Sequence, residues 1–110
     1  MNEVNMDIFQ VRHCINVLIS QERKRQETLK AAGKFAKTCA DAMDDGIRLA
    51  VLTEEVGELA HEINEGRATG LEAQKELIQV GAVVLAWLES FTNYRLHDYK
   101  VTLAEARRDQ

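Results

Sequence analysis

The chain has 110 residues, 45% of them hydrophobic and 29% charged, with a net charge of −4 at neutral pH. That length suits one domain and not two, and that hydrophobic share belongs to a folded chain rather than a disordered one. The acidic balance argues against a nucleic-acid polymer as partner, and the longest apolar run, Val80 to Leu88, is about half of what a membrane span needs.

Proline is absent and glycine is sparse, which favours long uninterrupted helices. The first helix is expected from about Asp7 to Ala32. Ile8, Val11, Ile15, Leu18 and Ile19 recur at three and four residues and mark its buried face. Beyond Ser20 the pattern turns charged, so the second half is expected to be the more exposed. Arg23-Lys24-Arg25, flanked by Glu22 and Glu27, reads there as a solvated surface. Gly33 marks a break, and Lys34 to Ala42 a short connecting segment.

Asp44 and Asp45 sit where an N-cap and a first-turn acid belong, and open a second helix that runs to about Glu65. Gly66 stops it, Arg67 to Gly70 forms a turn, and Thr69 caps the next helix. The third helix runs from about Leu71 to Tyr94, and a short last helix from about Thr102 to Arg108. No period-2 pattern appears, so the fold class is all-α, a bundle of three to four main helices. Leu77, Ile78, Val80, Val83, Val84, Leu85, Trp87, Leu88 and Phe91 cover nearly the whole circumference of the third helix. A helix apolar all round must be buried all round. So short a chain has few elements to cover it, so a homodimer or homotetramer is expected.

The acids have a pattern of their own. Glu55 and Glu58 are three residues apart on the second helix, as are Glu76 and Gln79 on the third. Residues at i and i+3 share a helix face, and like charges there repel. At ~100° per residue, Leu52, Val56, Leu59 and Ile63 define the apolar stripe of the second helix. Glu55 and Glu62 flank it, Glu58 lies further round, and Glu54 and Glu65 lie toward solvent. Glu76 falls on the apolar face of the third helix, near Val80, Val83 and Trp87. An unpaired buried carboxylate is costly, and a hard divalent cation with oxygen ligands relieves it. The alternative is a charged solvent face, with Glu76 paired to a lysine or arginine.

At these residues the chain resembles the MazG-like all-α nucleoside triphosphate pyrophosphohydrolases. Their signature is E-E-x-x-E on one helix and E-x-x-D on the next. Glu54-Glu55-x-x-Glu58 fits the first half and Glu76-x-x-Gln79 stands at the expected distance for the second. The resemblance covers roughly Asp41 to Phe91, and it implies one MazG-like helical domain over residues 1–110. It implies cleavage of a nucleoside triphosphate to monophosphate and pyrophosphate with Mg²⁺, or Mn²⁺, as part of nucleotide-pool house-cleaning. Glu55, Glu58, Glu76 and Gln79 would then be metal ligands, with Glu54 and Glu55 in catalytic roles. Lys100 and Arg107 resemble the basic pair that follows the family's third helix, although Ala104 stands where an asparagine is usual. Lys34 and Lys37 are further candidates for phosphate contacts.

Gln79 departs from the pattern, because the family has an aspartate there. A glutamine oxygen binds Mg²⁺ without offsetting its charge. The alternative function is therefore a weakly active or non-catalytic helical homo-oligomer that binds nucleotide or metal. Glu58-x-x-His61 also matches half of a di-iron element, but the chain has no second copy. Trp87 reads as core. Phe35 is left between two readings, stacking on a base or capping the core. Cys14 and Cys39 fit no metal-finger spacing, and the reading is of a cytoplasmic protein with reduced thiols.

Overall fold

Three long helices carry the structure, a computed structural model that describes residues 5–66, 70–94 and 104–108. They are α1 (Ile8–Ala31), α2 (Asp45–Asn64) and α3 (Leu71–Tyr94). Residues 104–108 are also helical, in line with the expected last helix, and the described residues include no strand. The turn at Arg67, the cap at Thr69 and the phosphate contact at Lys100 fall outside the described residues.

The helix ends follow from local chemistry. Asp7 opens α1 with a reciprocal box. Its side chain accepts from the Gln10 backbone N–H, and the Gln10 side chain accepts from the Asp7 N–H, both at 2.9 Å. Such a cap contributes about 1 kcal/mol. Gly33 and Gly66 follow the C-termini of α1 and α2 at a φ of 79°. Side chains rarely tolerate that conformation, so glycine is what lets each helix end there. Asp44 occupies the N-cap of α2 as expected but makes no side-chain capping bond. Asp45 instead meets Arg48 Nη1 at 2.8 Å.

α3 packs against both other helices, while α1 and α2 do not pack on each other. Where α3 meets α1, Gly81 faces Ile19. A Cβ at Gly81 would come within 3.0 Å of Ile19 Cδ1, so the missing side chain is what permits the approach. The segment joining α1 and α2 closes one end of the gap between them. Cys39 of that segment packs with Val83 and Ala86 of α3, and Ala40, Val51 and Leu52 close around them.

Polar groups hold that segment in place. Arg48, only 5% exposed, donates to the carbonyls of Cys39, Asp41 and Met43 at 2.6 to 3.0 Å. Lys30 Nζ meets Asp41 Oδ1 at 2.7 Å, and Thr38 Oγ1 donates to Glu27 Oε2 at 2.7 Å. The Lys30 bond, then the Thr38 N–H, keeps the Asp41 carboxyl below the usual carboxylate range. Arg23 Nη2 completes the network, 2.7 Å from Glu27 Oε2 and 2.6 Å from Glu89 Oε2.

This arrangement corrects the expectation for α1. Its first half is the exposed one: Ile8, Phe9, Ile15 and Leu18 are 54%, 74%, 43% and 49% exposed, and Val11 and Ile19 half-buried. Arg23 is the buried residue of α1, not part of a solvated surface. The physical reason is the crossing with α3, which falls at Ile19 and Arg23 rather than at the apolar N-terminal turns. The stripe on α2 is also displaced. Arg48 is buried and Val51, Leu52, Glu55, Leu59 and Glu62 are half-buried, whereas Val56 and Ile63 are exposed. Glu55 and Glu62 therefore stand within the packed stripe rather than beside it. α3, expected to be covered all round, buries Ala73, Ala82, Val83, Ala86 and Ser90 in one chain, but leaves Leu77 and Leu88 exposed.

Candidate metal centre and adjoining cavity

Glu55 and Glu58 occupy successive turns of α2, and Glu76 lies opposite them on α3. One carboxylate oxygen from each lies within 4.8 Å of the other two. Glu55 and Glu76 are half-buried and Glu58 is exposed, so the group opens to solvent on one side. The i, i+3 spacing that put each pair on one face thus also aims both faces at one point.

Such a cluster resists full ionisation. Burial, then the charges of Glu58, Glu76 and Glu54, raise the Glu55 carboxyl from 4.5 to about 7. Burial and a hydrogen bond with Glu58 push Glu76 up as well. Gln79, half-buried one turn beyond Glu76, completes the group. With the amide oriented by its hydrogen-bonding surroundings, nitrogen end inward, it donates to Glu55 Oε2 at 3.0 Å and to Glu76 Oε2 at 3.2 Å.

The donor set fits a hard divalent cation. Oxygens around one Mg²⁺ at ~2.1 Å lie roughly 3 to 4 Å apart. The three carboxylates stand within 4.8 Å of one another, near that spacing, with the Gln79 amide beside two of them. Nitrogen and sulfur ligands are absent from the group, which is what Mg²⁺ or Mn²⁺ would favour.

A cavity of about 480 Å³ adjoins the acids, within the usual range for a small-molecule site. It occupies the gap between α1 and α2, with α3 as its floor and the connecting segment as its end wall. Glu55, Gln79 and Val83 line its inner side and Phe35, Ile47 and Val51 give it apolar walls. Polar groups enter from α1, where Arg25 is held by Glu22 through two bonds, Nε to Oε2 at 2.8 Å and Nη2 to Oε1 at 2.6 Å. Those bonds, and more weakly the charge of Glu55, favour the protonated guanidinium.

The expected residues divide on these grounds. Glu55, Glu58, Glu76 and Gln79 come together. Glu54 is exposed and outside the carboxylate group, although its charge acts on Glu55. Lys37 stands on the cavity wall, its Nζ donating to the Ala42 carbonyl at 3.1 Å, whereas Lys34 does not line the cavity. Arg107 is exposed on the last helical segment. Phe35 is a cavity wall, and Trp87, half-buried, does not line it. His61 is exposed and takes no part in the carboxylate group.

Arg25 and Glu22, read in the sequence as solvated surface, and Gln26, which that reading passed over, line the cavity. A signal for them existed. The stripe Ile15, Leu18, Ile19 continues at helical spacing through Glu22, Arg23 and Gln26. A helical period that persists as the residues turn polar keeps those positions on one face of the helix, and Glu22 and Gln26 of that face reach the cavity.

No family model, curated protein or solved structure matches the chain.

Proposed function

We propose that the chain is a Mg²⁺-dependent nucleoside triphosphate pyrophosphohydrolase of the MazG-like kind. The observation that carries this reading is the junction of two features: three carboxylates gathered within 4.8 Å, and an apolar-walled cavity of about 480 Å³ that shares Glu55 and Gln79 with them. A nucleotide needs both, a cation for its phosphates and an apolar slot for its base.

Glu55, Glu58 and Glu76 would hold the ion, with Gln79 as a neutral fourth ligand. A bound Mg²⁺ offsets phosphate charge and makes an attacking water more acidic. Phe35, Ile47 and Val51 offer the base an apolar surface. Arg25 sits at the rim, where its guanidinium can leave Glu22 for a phosphate oxygen, and Lys37 adds a second cation on the wall. Glu54, exposed beside Glu55, is the carboxylate free to orient a water and take its proton.

A second copy of the chain would cover the apolar surface that one copy leaves exposed. Phe9 and Ile8 of α1 and Leu77 and Leu88 of α3 are each more than half exposed, apolar area that a second copy would remove from water. No described helix is long and apolar enough to cross a membrane.

Gln79 favours the second reading, a weakly active or non-catalytic nucleotide-binding oligomer, because it removes one negative charge from the family's ligand set. The two readings separate in a screen of standard and modified nucleoside triphosphates with and without Mg²⁺. Equal release of monophosphate and pyrophosphate supports the enzyme. Saturable binding without product in every case supports the alternative.

A further inference from the structure

We infer that Gln79 serves the acid cluster in two ways, tying Glu55 to Glu76 as a hydrogen-bond donor when the centre is metal-free and turning its carbonyl oxygen to the cation when one binds. The inference rests on the metal-centre reading and concerns how this chain's own residues prepare the site.

One end of the Gln79 amide lies 3.0 Å from Glu55 Oε2 and 3.2 Å from Glu76 Oε2, and so spans α2 and α3. The two ends of an amide are nearly equal in shape and opposite in sign. Toward carboxylates alone, only the nitrogen end is favourable. Toward a cation between them, only the oxygen end is. Exchange of the two is a half-turn about the last side-chain torsion, which is broad and roughly two-fold in glutamine. No backbone need move.

An aspartate cannot do the first of these tasks. When ionised it only accepts hydrogen bonds, and at this position it would be a fourth carboxylate beside three that already repel. Gln79 therefore gives up charge toward the cation and gains a cluster that is gathered before the cation arrives. That explains why residues of like charge stand so close, on two helices, with the lone neutral group of the set between two of them.

The test compares wild type, Gln79→Asp and Gln79→Leu by thermal unfolding, in chelator and in saturating Mg²⁺, at one mildly alkaline pH. In chelator both variants are expected to melt several degrees below wild type, the leucine because it donates nothing and the aspartate because it adds repulsion. Mg²⁺ is expected to erase the aspartate's deficit and to leave the leucine's. In wild type, the side-chain amide resonances of Gln79, identified by their loss in the variants, are expected to shift as Mg²⁺ is added. An aspartate variant as stable as wild type in chelator overturns the donor role. A deficit unchanged by Mg²⁺, or amide resonances that stay put while Mg²⁺ raises the melting temperature, overturns the turn. A wild type that ignores Mg²⁺ and Mn²⁺ overturns the metal-centre reading itself and this inference with it, and is recognised before any variant is compared.

Discussion

Arg23 of α1 and Glu89 of α3 stand 2.6 Å apart, Nη2 to Oε2, although 66 residues separate them in sequence. The same guanidinium reaches Glu27, which receives the Thr38 hydroxyl from the segment that walls the cavity. One buried cation thus joins two helices and the wall of the site. Both carboxylate partners are about 40% exposed, so solvent screening reduces what each pair contributes. Arg23→Met is expected to destabilise the fold by about 2 kcal/mol, less than for a fully buried pair. Urea unfolding checks this, and a variant as stable as wild type would show that the network is decorative.

Arg48 fixes the other side of the wall. Its guanidinium donates to three backbone carbonyls of the connecting segment. Arg48→Met keeps the stem and strips those carbonyls of their donor, at an expected cost of about 3 kcal/mol. Because two of those residues, Cys39 and Met43, line the cavity, weaker nucleotide binding is expected alongside lower stability. Proteolysis should begin between Gly33 and Asp44 in the variant. Unchanged nucleotide affinity would separate the wall from the site.

pH acts on the metal-free protein from two directions. Folded Glu55 keeps its proton up to about pH 7, against 4.5 for an ordinary glutamate. Between those values the folded state binds more protons than the unfolded one, so stability falls as pH rises. Asp41 has the opposite sign. Its carboxyl is lowered by Lys30 and Thr38, so its contribution is present above the ordinary value and is lost as pH drops through the folded one. In chelator, stability is therefore expected to peak on the weakly acidic side. Glu55→Gln should flatten the decline above the peak. A metal-free stability that climbs steadily to neutrality would contradict the placement of Glu55 among the acids.

Under the proposed function, Arg25 is the cavity cation nearest α1 that a substrate phosphate would recruit. Arg25→Ala is expected to lower kcat/KM by about ten-fold or more, from the loss of a charge-assisted hydrogen bond worth roughly 1.5–3 kcal/mol. Its partner Glu22 competes for the same guanidinium, so Glu22→Gln should move KM the other way. Nucleotide kinetics at saturating Mg²⁺ read both. Equal KM in all three proteins would leave Arg25 outside the substrate's reach.

Much of this was legible in the chain. Gly33 and Gly66 announced the ends of α1 and α2 because glycine alone takes their φ of 79° at no cost. The acid pairs announced the cluster because helix geometry turns a spacing of three into a shared face. What stayed hidden depends on pairs distant in sequence. The basic run at Arg23 looked like surface because Glu89 enters only when α3 crosses α1. The packed stripe of α2 was read through Val56 and Ile63, yet it runs through Val51, Glu55 and Glu62, since that is the side on which α3 packs. Gln79 was visible as a departure, but its contact with Glu55 required α2 and α3 to be side by side.

The most direct measurement is pyrophosphate release from a panel of nucleoside triphosphates, by wild type and Glu76→Gln, across a Mg²⁺ titration. Glu76 stands on α3 opposite the two carboxylates of α2, and its loss breaks the cluster without removing a residue that lines the cavity. The expected result is Mg²⁺-dependent release by wild type with at least one nucleotide, matched by monophosphate, and its loss in Glu76→Gln with the fold intact by circular dichroism. Release from no nucleotide at any Mg²⁺ concentration, or release undiminished in Glu76→Gln, would contradict a metal-dependent pyrophosphohydrolase built on these carboxylates.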